Sequence, residues 1–317
     1  MKQINAKILK NQQVGGDYRK MTLAAPAIAR KIAPGQFVHV LCSNSAEPLL
    51  RRPFSMHRVS HQSPVTSHQK KRKNENSGTI EILYEIVGKG TEILSKKRSG
   101  EFLDIIGPLG NGFFIPKTVN RKPETSILIA GGMGVAPLVA LAEGLVHSSK
   151  FIVHSKKKKR EENIIVLIGA KTKNHILCEK DFKKLGAKVL VSTEDGSKGG
   201  KGLVTTQLDL SLSTMNYELS TIFACGPNPM LQAVSMLAAK YNIRCQVSLE
   251  GRMACGVGVC LGCPVKIKST VDSPQSTERK LRKRDVSDDG RRTTDDGYMM
   301  VCKDGPVFDA DRIDWEE

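Results

Sequence analysis

Three cysteines within nine residues constrain this chain more than any other feature of it. Cys255, Cys260 and Cys263 stand in MACGVGVCLGCPV with C-x4-C-x2-C spacing, and Cys302 lies downstream as a possible fourth. That spacing is the plant-ferredoxin-type arrangement for a [2Fe–2S] cluster. It suits a short loop wrapped round the cluster with its amides aimed at the sulfurs. Gly256, Gly258 and Gly262 permit the close approach and positive φ values this needs. A disulfide framework does not suit a chain without secretory signals. Structural zinc prefers C-x2-C pairs and leaves the wider gap and the glycines unexplained. Inert buried cysteines have no reason to crowd so tightly.

The rest of the chain divides by rhythm. Residues 1–122 read as short strands. GQFVHVLC (35–42) and IEILYEIV (80–87) mix alternation with β-branched and aromatic residues, and Gly/Pro punctuation recurs at Pro34-Gly35, Gly107-Pro108 and Gly110. No long amphipathic helix is expected there, and the pattern predicts an antiparallel barrel or sandwich. The boundary falls near Lys122–Thr125. Over 123–249, the apolar strands SILIA (126–130), IIVLIGA (164–170), AKVLVST (187–193), TIFACG (221–226) and CQVSLEG (245–251) alternate with helical stretches at 135–146 and 228–241. This predicts a parallel, doubly wound sheet. Residues 250–317 fit neither pattern. Their middle, 269–297, holds seven basic and seven acidic residues and almost no apolar ones, so it cannot offset its folding entropy by burial. The remaining ~40 residues are too few to fold without a staple, and a metal is expected to supply it. The expected fold is thus multi-domain, β plus α/β, with a small C-terminal cluster segment.

Composition excludes more than it assigns. At 317 residues and 39% hydrophobic content the chain has room for about two soluble domains. Its net charge of +17 first suggests nucleic acid. However, +7 of that charge falls in residues 61–77 and 147–162, which read as polar surface loops. No helix-turn-helix or zinc-finger spacing accompanies it, and aromatics for base stacking are few, so no nucleic-acid partner is expected. Residues 127–146 match a membrane span in length, but Gly131, Gly132, Gly134 and Pro137 crowd their first half. They read as strand, tight loop and buried helix, and no membrane contact is expected. The opening MKQINAKILKNQQVGG lacks a signal-peptide core, which implies a cytoplasmic protein.

Two corners in the α/β region carry nucleotide chemistry. AGGMGVAPL (130–138) follows a strand and opens a helix, so its glycines let backbone amides meet a pyrophosphate. ACGPNPML (224–231), with Cys225, Gly226 and Pro227, is a second such corner, and strand-end corners of this kind line the ligand crevice of an open parallel sheet. TEDGS (193–197) offers Glu194 and Asp195 where an adenosine ribose is expected. Carboxylates there favour a free 2′-hydroxyl and predict NAD over NADP. In the β-rich half, RRPFS (51–55) combines arginine for a phosphate, Phe54 for a flat ring and Ser55 for a ring nitrogen.

Taken in order, RRPFS, GPLGNGF (107–113), AGGMGVAP, ACGPNPML and the cysteine cluster resemble the electron-transfer subunits of the dihydroorotate dehydrogenase B family, within the ferredoxin-NADP reductase superfamily. The resemblance covers nearly the whole chain outside three polar insertions (about 61–77, 147–162 and 269–297). It is most specific in LEGRMACGVGVCLGC and VCKDGPVF. It implies an FAD-binding β-barrel, a nicotinamide-nucleotide domain and a [2Fe–2S] segment. By motif, Arg52, Pro53, Phe54 and Ser55 resemble the first FAD-contacting strand end. Leu83, Tyr84 and Glu85 resemble a second contact, and Gly90 with Thr91 the pyrophosphate turn. Gly131, Gly132, Gly134 and Pro137, with Cys225, Gly226 and Pro227, resemble the nicotinamide side.

A flavin exchanges hydride pairs and single electrons, so FAD is expected between NAD and the cluster. The resemblance implies dihydroorotate oxidation at FMN in a separate catalytic subunit, paired two plus two in a heterotetramer, serving pyrimidine synthesis. A ferredoxin:NADP oxidoreductase or sulfide dehydrogenase subunit is the alternative within this class, and a zinc-stapled binding module the alternative outside it. VCKDGPVF resembles the segment of the family's last ligand, which implies Cys302 as the fourth, although 38 residues separate it from Cys263. Cys245 reads as a strand residue, Cys42 as part of the barrel and Cys225 as part of the nicotinamide corner.

Overall fold

The computed structural model describes residues 1–60, 78–115, 125–150, 164–214, 219–268 and 297–315. Its first half closes the alternating segments into a barrel. Strands β1 (Lys2–Gly15), β2 (Tyr18–Ala24), β3 (Phe37–Val40), β4 (Arg52–Ser60), β5 (Thr79–Glu85) and β6 (Phe102–Leu109) pair antiparallel in the order β1-β2-β5-β4-β3-β6. Val38, Val40, Phe54 and Met56 join Ile8, Met21, Ile80 and Ile82 in one core. Phe37, one residue out of phase with Val38, belongs instead to the core beneath the nucleotide sheet. Hence all four residues of β3 are buried: one face lines the barrel and the other is covered by the rest of the chain. Besides the single turn α1 (Pro26–Ala29), this half holds α2 (Lys89–Lys96). At eight residues, α2 is too short to show a helical repeat in the sequence.

The second half is a seven-stranded sheet in the order β10-β9-β8-β7-β11-β12-β15. Its strands are β7 (Thr125–Gly131), β8 (Ile164–Ala170), β9 (Lys188–Thr193), β10 (Gly200–Lys201), β11 (Leu219–Cys225), β12 (Cys245–Ser248) and β15 (Val307–Asp309), all parallel except the last pair. Helices α3 (Val135–Lys150) and α4 (Glu179–Lys184) cover one face, while α5 (Val204–Thr214) and α6 (Asn228–Lys240) cover the other. Two-sided burial explains the unbroken apolar runs: Ile127, Leu128 and Ile129 are each fully buried. Of the insertion expected at 147–162, His147–Lys150 belong to α3 and the rest lies outside the described residues. Of the boundary expected at Lys122–Thr125 only Thr125 is described, as the first residue of β7, and of the insertions expected at 61–77 and 269–297 only Gly297.

The C-terminal segment leans on the sheet and is not left to a metal staple alone. β13 (Pro264–Lys266) and β14 (Tyr298–Met300) form an antiparallel pair, with Lys266 opposite Tyr298. β15 then adds to the sheet edge beside β12. Met299, Met300, Val301 and Cys302 pack into the same core as Ile222 and Val247. Beside the expected metal staple, these short apolar stretches gain support from an open strand edge that they complete.

Barrel and sheet meet through polar contacts on β4, one buried and one half-exposed. His57, 1% exposed, bonds through Nδ1 to the Ala136 carbonyl at 3.0 Å. Burial drives its pKa down to about 4. Arg58 pairs with Glu143 at 2.9 Å and with Asp181 at 3.0 Å. Among the described residues, no helix is long and apolar enough to cross a membrane.

Candidate cofactor sites

At the barrel rim, Arg52 opens β4, and its strand register sets Pro53 opposite His39 and Ser55 opposite Phe37. Phe54 turns into the barrel core and meets Tyr84 edge-on at 5.8 Å. The open side of the strand therefore presents Pro53 and Ser55, both half-buried, rather than the Phe54 ring. Tyr84 is buried and donates its hydroxyl to Asn11 Oδ1 at 3.1 Å. Leu83 is buried beside it and Glu85 is half-buried at the strand end. The Thr91 hydroxyl accepts the N–H groups of Val87 and Gly88, at 3.0 and 3.2 Å, and fixes the start of α2. First-turn amides have no acceptor inside their own helix. Here that turn comes close to a cation, since a Cβ at Gly90 would lie 3.4 Å from Arg52 Nε. A helix N-terminus beside a guanidinium is a donor set that fits a pyrophosphate.

The two sheet corners converge. Chain order runs outward from β7 through β8 and β9, then returns to β11 on its other side. The β7/β11 boundary is therefore the switch point at which such sheets bind ligands. Cys225 is in register with Ala130 there, and the loops beyond them touch. A Cβ at Gly134 would fall 1.9 Å from the Cys225 carbonyl oxygen, so only glycine lets the corners close. Gly131 packs on Met230 and Pro227, and Gly132 and Gly226 take φ values of +53° and +156°. Pro137 lies in the first turn of α3. Burial, helped by the Glu250 charge, pushes the Cys225 thiol up to about 12, so it stays protonated. Asp195 lies beyond β9, two strands from β7, or ~10 Å across a sheet. Its Oδ1 accepts the N–H and hydroxyl of Ser197 at 2.9 and 2.7 Å, which holds the carboxyl below its usual range.

In the cysteine loop the four sulfurs fall into two pairs. The Cys260 amide donates to Cys255 Sγ at 3.4 Å, and the Cys302 amide donates to Cys263 Sγ at 3.4 Å. Val257 also donates to Cys255 Sγ at 3.4 Å, while Gly258 reaches across to Cys302 Sγ at 3.1 Å. Among the described residues, no three His, Cys, Asp or Glu side chains close on a single metal ion. Two thiolates for each of two irons is the need of a [2Fe–2S] cluster, and two pairs are what the loop offers. Slight burial raises the Cys255 thiol, but the Val257 and Cys260 amides outweigh it and bring it down to about 6. Burial and the adjacent Cys263 push Cys302 up to about 12. Cys260 is exposed, Cys263 and Cys302 are buried, and Leu261 holds a φ of +55°. Cys245 is buried within β12, Cys42 lies beside Gly90, and neither takes part in this network.

Sequence reasoning overlooked the side chains that support these sites. His39 reads as one more residue of a strand, and Asn111 as one more turn residue. Ser197 gave no signal beyond TEDGS. Their contacts span from 2 to about 200 positions of sequence, and the long-range ones leave no local pattern.

Residues 128–236 match the oxidoreductase NAD-binding domain, and residues 250–278 match the iron-sulfur cluster binding domain of dihydroorotate dehydrogenase B. The chain is 35% identical over 320 residues to the dihydroorotate dehydrogenase B (NAD+) electron transfer subunit of Desulforamulus reducens, covering 99% of each chain. It is 32% identical over 310 residues to that of Caldanaerobacter subterraneus, covering 98% of each. Among solved structures, an NADH-dependent reduced ferredoxin-NADP oxidoreductase superposes with a TM-score of 0.70 at 24% identity, covering 98% of this chain and 90% of that one. An Amycolatopsis cytochrome P450 reductase superposes at 0.56 with 18% identity over 77% of this chain and 69% of that one. At these identities the structures establish the ferredoxin-reductase-like fold alone.

Proposed function

This chain belongs to the family of dihydroorotate dehydrogenase B (NAD+) electron transfer subunits, and from that premise we propose how its residues serve the reaction. The chain is the NAD-linked oxidoreductase subunit that delivers electrons from dihydroorotate oxidation to NAD+ in pyrimidine biosynthesis. When bound, FAD supplies the exchange between hydride pairs on the nicotinamide side and single electrons on the [2Fe–2S] side.

Cys255 with Cys260, and Cys263 with Cys302, hold one iron each. Backbone amides that donate to Cys255, Cys263 and Cys302 stabilise charge on those sulfurs. Arg52 and the start of α2, at Gly90 and Thr91, hold the FAD pyrophosphate. Pro53 and Ser55 flank its ring, with Phe54, Leu83, Tyr84 and Glu85 shaping the wall behind. Gly131, Gly132, Gly134 and Pro137 face Cys225, Gly226 and Pro227 across the crevice that takes the nicotinamide nucleotide. The protonated Cys225 thiol adds bulk there without adding charge. Asp195, oriented by Ser197, receives the adenosine ribose and favours NAD.

The partner is an FMN-containing catalytic subunit, joined two plus two. It docks on the exposed loop tip, where Val259 and Leu261 are 79% and 59% exposed around Cys260. The protein works in the cytoplasm. Domain limits of 1–122, 123–249 and 250–317 assign one cofactor to each part.

The observation that carries this reading is the grouping of the four cysteines against His39 of β3, the strand paired with the one that bears Arg52 and Ser55. The test is purification with the FMN subunit, followed by iron, sulfide and flavin analysis. One FAD and two irons per chain, with dihydroorotate-dependent reduction of NAD+, are expected. Full NADH oxidation without any dihydroorotate-linked transfer would overturn the partner assignment.

A further inference from the structure

Two barrel side chains have no part in the reading above, yet both reach the cluster loop. His39 on β3 is fully buried, and neither of its ring nitrogens has a hydrogen-bond partner. Across the ladder it faces Pro53 of the flavin-side strand. On its other side a Cβ at Gly256 would lie 2.6 Å from Nδ1, so the loop rests directly on the imidazole. Backbone groups of Cys255 and Arg51 flank the ring, though neither reaches hydrogen-bond geometry. A buried imidazole without partners is costly, which makes an idle filler a poor account of it. A leucine would fill the same space at no such cost.

Asn111, just beyond β6, meets the other arm of the loop. Its Nδ2 donates to the carbonyls of Lys303 and Asp304 at 3.0 and 2.9 Å, and its backbone N–H donates to Gly305 at 2.5 Å. A Cβ at the adjacent Gly110 would lie 2.6 Å from the Gly305 oxygen, so here too the two backbones are pressed together. One barrel side chain thus addresses the arm carrying Cys255, and another addresses the arm carrying Cys302.

We propose that His39 and Asn111 are positioning residues that lock the two arms of the cluster loop to the flavin-side face of the barrel, His39 by seating the Cys255 arm on its buried ring and Asn111 by clamping the carbonyls that follow Cys302. The inference rests on the cysteine assignment proposed above. Groups outside the ligand set orient metal ligands and tune the centre, and losing one typically costs about tenfold or more in affinity or activity.

The experiment uses the full chain with its catalytic partner, carrying His39→Leu or Asn111→Ala. Iron and flavin contents are measured first, then the electron paramagnetic resonance spectrum and midpoint potential of the reduced cluster. Both variants are expected to shift the g-values and the potential and to slow cluster-to-flavin transfer about tenfold. His39→Gln, which keeps a donor, should move the spectrum back toward that of the unsubstituted protein. Loss of iron with flavin retained supports the inference equally. If His39→Leu does not fold, His39→Gln and Asn111→Ala carry the test. Full iron with an unchanged spectrum and potential in the folded variants overturns the inference alone. An iron-free unsubstituted protein overturns the cysteine assignment with it.

Discussion

The nucleotide crevice and the cysteine loop are built by opposite means. The crevice comes from regular elements: two parallel strands end in register, two helices begin, and glycines let the corners touch. Its shape follows from the sheet. The loop has almost no regular structure between Ser248 and Pro264, and its order comes from amide-to-sulfur bonds and from the barrel and sheet edge pressed against it. A site made of elements should yield gradually to substitution, whereas a site made of ligands should fail at once.

The sharpest break in that comparison is Cys302→Ser. It is expected to abolish iron binding and partner-coupled transfer while FAD and NADH-to-flavin reduction survive, whereas Cys245→Ser keeps both centres. Iron analysis and flavin absorbance decide this, and exchanged outcomes would show that the ligand assignment is wrong.

The next largest effect tests how the crevice is mounted on the barrel. His57 is buried neutral, with a folded pKa of about 4 against an ordinary 6.5. Between these values the unfolded chain binds a proton that the folded chain does not, so stability falls as pH drops from 6.5 to 4 and then levels. The difference of about 2.5 units amounts to about 3 kcal/mol. Urea midpoints measured across that range should show it, and His57→Gln should flatten the profile. An equally steep profile in the variant would assign the effect to other groups.

Gly134→Ala probes the corner itself. The added methyl meets a backbone carbonyl that cannot swing away, at a cost of about 2 kcal/mol in overpacking. The KM for NADH should rise about tenfold while iron content stays full. A variant with unaltered KM would mean that the corner is looser than its packing.

Asp195→Asn, the mildest change, should narrow the preference for NADH over NADPH only a few-fold, read as a ratio of kcat/KM values. A variant ratio equal to that of the unsubstituted protein would place the ribose elsewhere.

The same contrast governs what was legible in the sequence. The sheet could be read because buried parallel strands need unbroken apolar runs, and SILIA and IIVLIGA are such runs. The cysteine loop could be read because local spacing is itself the geometry of a short loop. β15 could not, since a three-residue strand carries no period and its partner β12 lies some 60 positions away. α2 escaped for the same reason of length. Phe54 was assigned to a flat ring by its neighbours in RRPFS, yet the phase of β4 turns it toward Tyr84 in the core. His39 stayed hidden because a strand buried on both faces gives no alternation against which a polar residue stands out.

The pairing of Lys266 with Tyr298 has a practical corollary. Whatever joins these two residues leaves and re-enters through adjacent positions of one antiparallel stem. The stem therefore fixes the spacing of its own two ends. For a flexible loop grafted onto such a stem, each doubling of length costs only ~0.6 kcal/mol of closure entropy. An affinity tag or fluorescent reporter spliced there would sit within the chain, between the third and fourth cysteines, and leave both termini free.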